Sequence, residues 1–244
     1  MKLMTLNIWG GRLGVPFLDF VASQQKNVDI FCFQEVYHNA PAQISDENAP
    51  VNLNIFAELQ SLLPEFNGYF KPVVNNIYGI CMFVRKTLEV LGEGDVQIYE
   101  NPTYSGCGPH HSRNMQWLQV RIDGQVYSIL NVHGLWNGKG KTDSPDRILQ
   151  SQKIREFMDN LATHKIVCGD FNLRPDTQSM KIIEEQMHNL INLHNISSTR
   201  TSLYKKDEKF ADYILISSEV KTHHFAVLDN EVSDHKPLFL EFGH

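Results

Sequence analysis

The sequence predicts an α/β protein of the α+β kind, with two mixed, mostly antiparallel β-sheets packed together and helices outside. Three observations predict it. Strand-like segments alternate with amphipathic segments along the whole chain. Some strand candidates are joined by tight turns, as in RID-GQV around Asp123-Gly124, a hairpin signal. Others, such as VDIFCFQE, are near-continuous apolar runs, the pattern of a central strand buried on both faces. No repeat, low-complexity tract or linker interrupts the 244 residues, so residues 1–244 are expected to form one domain with an ample core.

KLMTLNIW is the first expected strand. PFLDFVASQQK follows as a helix, with Pro16 suited to its first turn. VDIFCFQE is the second strand and NIFAELQSLLP the second helix. YFKPVV, GICMFVRK, NMQWLQVRID and GQVYSILNVH are the next strands. Ser144-Pro145 opens a helix, with Ser as the cap and Pro at the first position. In it Ile154, Phe157, Met158 and Leu161 recur at i, i+3, i+4 and i+7, one buried stripe. HKIVCGDF is a buried strand, TQSMKIIEEQM a helix, and FADYILIS and PLFLEF the last strands. Residues 38–50 and 101–113 read as loops.

Composition narrows the function classes. With 42% hydrophobic and 20% charged residues the chain is ordinary globular protein, not disordered. No apolar run approaches the ~18 residues that span a bilayer, so no integral membrane segment is expected. MKLMTLNIWGG carries one Lys and is broken by Thr5 and Asn7; it reads as a strand rather than a signal peptide, and the expected location is cytoplasmic. Cys32, Cys81, Cys107 and Cys168 form no CxxC pair, and three sit in apolar runs as small buried hydrophobes. The eleven histidines include no HExxH, which argues against zinc. The net charge of −6 argues against a tight, processive nucleic-acid binder. It leaves room for an enzyme whose carboxylates hold cations.

Gly140-Lys141-Thr142 imitates a phosphate-binding loop, but the earlier glycine of that motif would fall on Leu135, and Gly134 misses by one. The spacing matters because successive backbone N–H groups must wrap the phosphate. Lys139, Lys141 and Arg147 are therefore expected on a basic surface loop, either beside a phosphate site or simply solvated.

Polar residues gather at strand ends instead. Asn7, Glu35, Asn131, His133, Asp170 and Asn172 close apolar runs; Asp212 interrupts FADYILIS, and Asp234 and His235 precede PLFLEF. Residues two apart share a strand face, so Asn131 pairs with His133 and Asp170 with Asn172. A single such residue is explained as a solvated strand end, but six strand ends together indicate one cleft. Carboxylates crowded there need a cation, and oxygen donors suit Mg²⁺ or Mn²⁺. Metal, carboxylate and imidazole together suggest water attack at phosphorus. Glycoside chemistry also uses two carboxylates, but has no evident need of the Asn and His partners. Asn131 and Arg147 are added as candidate substrate contacts.

The motifs TLNIWG, FQEV, NVHGL, GDFNLRP, FADYIL and SDHKP run from Thr5 to Pro237 in the order of the endonuclease/exonuclease/phosphatase superfamily, which the chain resembles. The resemblance implies a four-layered sandwich and Mg²⁺- or Mn²⁺-dependent phosphoester hydrolysis. By motif, Glu35 resembles the principal metal ligand, with Asn7 beside it orienting ligand or phosphate, and Asp234 a further metal-proximal carboxylate. Asp170 resembles the residue that positions or deprotonates the attacking water, and Asn172 the one that holds phosphate. His235 resembles the histidine that contacts phosphate and nucleophile, backed by Asp212. Arg113 falls where some relatives place a phosphate-binding arginine. His133 resembles the histidine that protonates the leaving oxygen in the deoxyribonuclease branch. The carboxylate that backs it there is missing, because no Asp or Glu lies between Lys71 and Thr87. His133 is thus left as either a general acid or a phosphate holder. The resemblance points first to a phosphodiesterase acting on nucleic acid or a nucleotide conjugate, GDFNLRP looking somewhat like the tyrosyl-DNA phosphodiesterase segment. The alternative is a non-nucleic phosphoester: a phospholipid headgroup, an inositol or a sugar phosphate. A catalytically dead binding domain is disfavoured by the intact motifs. Trp136 is left either to stack a base or sugar or to pack its loop, and no obligate protein partner is implied.

Overall fold

The structure, a computed structural model, describes residues 1–42, 50–106 and 108–243. Cys107 and part of the 38–50 loop lie outside the described residues. In chain order the elements are β1 (Lys2–Asn7), a 3-10 turn (Trp9–Gly11), α1 (Val15–Gln24), β2 (Ile30–Tyr37), α2 (Ile55–Leu62), β3 (Phe66–Val74), β4 (Tyr78–Arg85) and β5 (Glu89–Tyr99). There follow β6 (Arg113–Ile122), β7 (Gln125–His133), α3 (Pro145–Asp159), β8 (His164–Asp170), α4 (Gln178–Glu184) and β9 (Met187–Asn189). Last come α5 (Leu190–Leu193), β10 (Asp212–Ser217), β11 (Lys221–Val227) and β12 (Leu238–Gly243).

The strands form two six-stranded sheets, ordered β11-β12-β1-β2-β4-β3 and β5-β6-β7-β8-β10-β9. Both are mixed. β1 runs parallel to β2, and β7 parallel to β8, while the other pairs are antiparallel. The two parallel pairs are central, and each is joined through a helix, as parallel neighbours require.

The apolar runs explain the layering. In β1, Leu3 faces the second sheet, whereas Met4 and Leu6 join Phe17, Val21 and Phe56 beneath α1 and α2. In β2, Ile30 and Cys32 face inward, and Phe31 and Phe33 face the helices with ring centroids 5.5 Å apart. Both faces are covered, so the strand has no solvent side to mark with polar residues. On the far side Ile154 and Met158 of α3 and Met180 and Ile183 of α4 close the second sheet. Ser144 caps α3 by accepting the Arg147 N–H, and Thr177 caps α4 by accepting the Met180 N–H. Phe157 packs only at the edge of the core, and Leu161 falls beyond the end of α3.

Two edge strands differ from the sequence expectation. β5 and β11 carry no continuous apolar signal, and register shifts at Val90/Gly92 and Thr222/His224 break their alternation. In β5, Gly94 lies under the Trp117 ring, where a Cβ would stand 2.8 Å from ring atoms. β3 contains Pro72 and is also an edge, where a missing N–H is tolerated. The helix expected over TQSMKIIEEQM ends at Glu184, and Met187–Asn189 pairs with β10 instead.

One glycine sets the approach of the two site strands. Gly169 has φ +125°, and a Cβ there would lie 2.2 Å from the Val132 carbonyl oxygen of β7. Gly169→Ala is therefore expected to lose about 2–4 kcal/mol of stability, because backbone cannot move aside as a side chain can. Urea unfolding measures it, and an unchanged midpoint would contradict the close approach.

Candidate active site

The sheet register brings the strand-end residues together. Asp170 is opposite His133 across the parallel β7–β8 pair and opposite Asp212 across the antiparallel β8–β10 pair. The ends of β1, β2 and the segment before β12 come to the same edge from the other sheet. Here they line a cleft of about 540 Å³.

Glu35 sits in a β-bulge of β2, between Phe33 and Val36, with φ +59°. The bulge turns its carboxylate out of the strand's alternation and into the cleft. Burial first, then the nearby Asp234 and Asp170, pushes its pKa above the usual value. Asn7 joins the acids: its Nδ2 donates to Glu35 Oε1 at 2.9 Å and to Asp170 Oδ2 at 3.0 Å. Its Oδ1 is already taken by the Trp9 N–H. Asn7 thus faces the acids through its amide nitrogen, which suits supporting Glu35 rather than ligating an ion.

Asp170 is 2% exposed, and its Oδ1 accepts the Asn172 N–H at 2.8 Å. Burial opposes its ionisation, but Lys141, His235, His133 and Arg200 outweigh that and hold its carboxyl below the usual range. His235 Nδ1 bonds Asp212 at 2.7 Å, and Asp212 also accepts from Thr199 Oγ1 at 2.9 Å. Burial and Arg200 press the His235 pKa down, yet Asp212 and Asp170 leave it raised. Asp234 lies 3.7 Å from both His235 Nε2 and the Arg200 guanidinium.

His133 Nε2 stands 3.9 Å from Glu35, outside hydrogen-bond reach. Its partner is Arg113, whose NH1 donates to the ring, 2.9 Å from Nε2 and 3.1 Å from Nδ1. Burial and this guanidinium drive the His133 pKa well below its ordinary value.

Two expected contacts do not reach the cleft. Asn131 shares a face with His133 but lies one pleat deeper. There its Oδ1 accepts from Gln34 and its Nδ2 donates to the Phe33 and Cys81 carbonyls, tying the sheets together. Arg147 is 1% exposed and donates to the carbonyls of Leu135, Gly140 and Thr142. It shapes the loop rather than facing a substrate.

That loop corrects another expectation. Lys139 is exposed, but Lys141 is 2% exposed and donates to Asn172 Oδ1. Burial lowers its pKa from 10.5 to about 8. No helix starts on the glycine-lysine cluster, as the missing first glycine predicted. Trp136 lies beneath the ammonium groups of both Lys141 and Lys206. Arg200, unforeseen in the sequence, donates to His235 Nε2 and stacks on Tyr204 at 4.0 Å. It stands in the polar stretch STRTS with no apolar frame around it; its bridge to His235, the Thr199 and Thr201 bonds to Asp212 and Asp234, and the Asp234 ion pair bring it to the site.

His111 also lines the cleft, its Nδ1 donating to the Ser112 carbonyl. Burial, then Arg113, lowers its pKa from 6.5 to about 3. The unfolded chain therefore binds a proton that the folded chain refuses between those values. Stability is full above pH 6.5 and falls as pH drops toward about 3. At pH 5 the cost from this residue is about 2 kcal/mol. Denaturation at pH 7.5 and pH 5 is expected to show a smaller loss for His111→Phe than for wild type. Equal losses would mean that His111 is not held neutral.

The donor set fits a hard divalent ion. Glu35, His133 and Asp170 place ligand atoms within 4.8 Å of one another, and among the described residues Glu35 is hydrogen-bonded by a neutral amide alone; Asp234, expected as a further metal-proximal carboxylate, lines the cleft but is not in that group. Carboxylate oxygens dominate, as Mg²⁺ or Mn²⁺ prefers.

Stacked mixed sheets with this constellation at one edge define a phosphoesterase-type sandwich. The chain belongs to the Endonuclease/Exonuclease/phosphatase family, whose model matches residues 4–235. No curated protein matches it. Solved structures share the fold. A Bacteroides thetaiotaomicron mannosyl-6-phosphatase is 17% identical with a TM-score of 0.74, covering 100% of each chain. D. rerio TDP2 complexed with single strand DNA product is 16% identical with a TM-score of 0.73, covering 100% of this chain and 99% of that one. The human Nocturnin catalytic domain with bound sulfate anion is 18% identical with a TM-score of 0.69, covering 100% of this chain and 93% of that one. The four-layered sandwich expected from the motifs is the fold observed.

Proposed function

We propose that this chain hydrolyses a phosphoester with the help of Mg²⁺ or Mn²⁺. The observation that carries the reading is the convergence of Glu35, Asp170 and the Asp212–His235 pair on one cleft that buried cations also line. Glu35 would hold the ion, with Asp234 as a further carboxylate of the same cleft, and the ion would supply a Lewis acid for a phosphoryl oxygen. Asp170, ionised and fixed by Asn7 and the Asn172 N–H, orients a water and takes its proton. His235, oriented by Asp212, contacts the phosphoryl oxygens together with Arg200, and Lys141 and Asn172 hold the phosphate from the other loop.

We give His133 the phosphate-holding role. A ring nitrogen that accepts from Arg113 has no proton to give at that position, and the ring's low pKa disfavours a cationic acid. His133→Ala is then expected to slow substrates with good and poor leaving groups equally. Selective loss on poor leaving groups would restore the general acid.

Two substrate readings follow. The motif order points to a phosphodiester in nucleic acid or a nucleotide conjugate. Favouring a non-nucleic phosphoester, the cations are concentrated in the cleft. The adjoining groove sets Arg174, Lys205, Lys206 and Lys209 against Asp176, Asp207 and Glu208, so it is mixed in charge rather than a strongly basic track. The test is a Mg²⁺-dependent panel of single- and double-stranded DNA, 5′-tyrosyl DNA, RNA, phospholipid, inositol and sugar phosphates. Asp170→Ala runs in parallel, and a chelator arm tests the metal. Turnover that survives both Asp170→Ala and chelation would overturn the reading.

A further inference from the structure

Three cations are buried around Asp170: Arg113 at 3%, Lys141 at 2% and Arg200 at 8% exposure. They come from different elements, the start of β6, the loop before α3 and the loop before β10. Each one donates to a different side chain that is not a carboxylate. Arg113 reaches the His133 ring, Lys141 reaches Asn172 Oδ1 and Arg200 reaches His235 Nε2. Among the described residues no carboxylate is hydrogen-bonded to any of the three; Asp234 forms an ion pair with Arg200 at 3.7 Å, beyond hydrogen-bond range. Arg113 Nε and Arg200 Nε are buried with no hydrogen-bond partner among the described residues.

Three buried cations that share Asp170 and Asp234 are short of counter-charge, and an anion that arrives with the ligand supplies it. The wall charges agree. Arg12, Arg113, Lys141, Arg200 and Lys206 line the cleft against Glu35, Asp170 and Asp234, although the whole chain is net −6. The excess of cations is focused in the cleft of an acidic protein. A divalent ion adds to that excess.

We infer that the cleft receives a terminal phosphate, so that the enzyme is a phosphomonoesterase that discriminates against diesters. This rests on the phosphoester-hydrolase reading above and narrows its substrate. A monoester dianion presents three unesterified oxygens and two negative charges. A diester presents two such oxygens and one charge. The three cation-bearing pairs, Arg113–His133, Lys141–Asn172 and Arg200–His235, give one donor set for each oxygen of the monoester. In a diester the third pair would face an alkyl or aryl oxygen, leaving one buried cation unmatched, a loss of at least about tenfold in affinity.

In the reaction, water forms the new P–O bond as its proton passes to Asp170. The bond to the ester oxygen breaks, and the leaving alcohol takes a proton from solvent. The products are inorganic phosphate and the alcohol, with no oxidant or further reactant.

Two arms test the inference. In the first, the Mg²⁺-supplemented enzyme is given p-nitrophenyl phosphate and methyl p-nitrophenyl phosphate, which share a leaving group. The expected kcat/KM is at least about tenfold higher for the monoester. Equal or better turnover of the diester overturns the inference while the hydrolase reading stands. In the second arm, Asp170→Asn protein is titrated calorimetrically with inorganic phosphate and with dimethyl phosphate. Inorganic phosphate is expected to bind at least about tenfold more tightly, and Arg113→Gln and Arg200→Gln to erase most of the difference. Dimethyl phosphate bound equally well overturns the inference even if neither ester is hydrolysed. Preferential phosphate binding without turnover of either ester supports the terminal-phosphate site and leaves the hydrolase reading to the substrate panel above.

Discussion

Asp170→Ala is expected to reduce kcat by about 10²–10⁴-fold while the sheets stay assembled. Asp170 Oδ2 accepts Asn7, its Oδ1 accepts the Asn172 N–H, and its strand neighbours across β7 and β10 are His133 and Asp212. Its carboxyl stays ionised in spite of burial because Lys141, His235, His133 and Arg200 surround it. That ionised oxygen is the base available to a water beside the phosphate. Alanine removes it and also strips the buried cations of their shared counter-charge. A stability loss of about 1–3 kcal/mol is therefore expected alongside the kinetic one. Asp170→Asn keeps the shape and the Asn172 contact but not the charge, so its kcat should fall as far with less loss of stability. The kinetics are read on whichever substrate the panel identifies, with urea unfolding in parallel. A correctly folded Asp170→Ala that keeps more than about a tenth of the wild-type kcat would show that another group activates the water.

The strand ends were legible because each polar residue interrupts an apolar run, and the runs fix the sheets. Asn7, Glu35, His133, Asp170, Asn172, Asp212, Asp234 and His235 all come to one edge, as six interrupted strands suggested. Depth was not legible. Asn131 and His133 obey the same alternation, but one lies between the sheets on Gln34 while the other lines the cleft. Alternation gives the face of a strand and not the distance from its end. The loop cations were not legible either. Lys141 and Arg147 read as a solvated basic loop, because sequence reports a charge without its partner. Arg147 turns inward because the carbonyls of the loop cap its guanidinium, and Lys141 because Asn172 receives it. Arg200 reaches the site through long-range contacts, its bridge to His235 and its ion pair with Asp234. Of the strands, β5 and β11 were hidden because edges tolerate glycine, charge and bulges that a central strand does not.

Asp212→Asn tests the other half of the machinery. Asp212 does not line the cleft; it acts through His235, whose Nδ1 it binds at 2.7 Å, and it is held in turn by Thr199 Oγ1. The carboxylate fixes a proton on Nδ1 and so leaves Nε2 directed at Arg200 and the phosphate. An amide can turn either its oxygen or its nitrogen toward Nδ1, and the second choice selects the wrong tautomer. The expected result is a fall in kcat of about 10²–10⁴-fold with KM changed less than about threefold, because the phosphate-holding groups are still present. A purely structural role would lower the unfolding midpoint and the amount of active protein but leave the kcat of the folded fraction intact. The double variant separates these cases. If Asp212 acts through the imidazole, His235→Asn with Asp212→Asn costs no more than His235→Asn alone, since nothing remains for the carboxylate to orient. Additive losses would mean that Asp212 serves the cleft by a route independent of His235, and the pair would have to be separated into two functions.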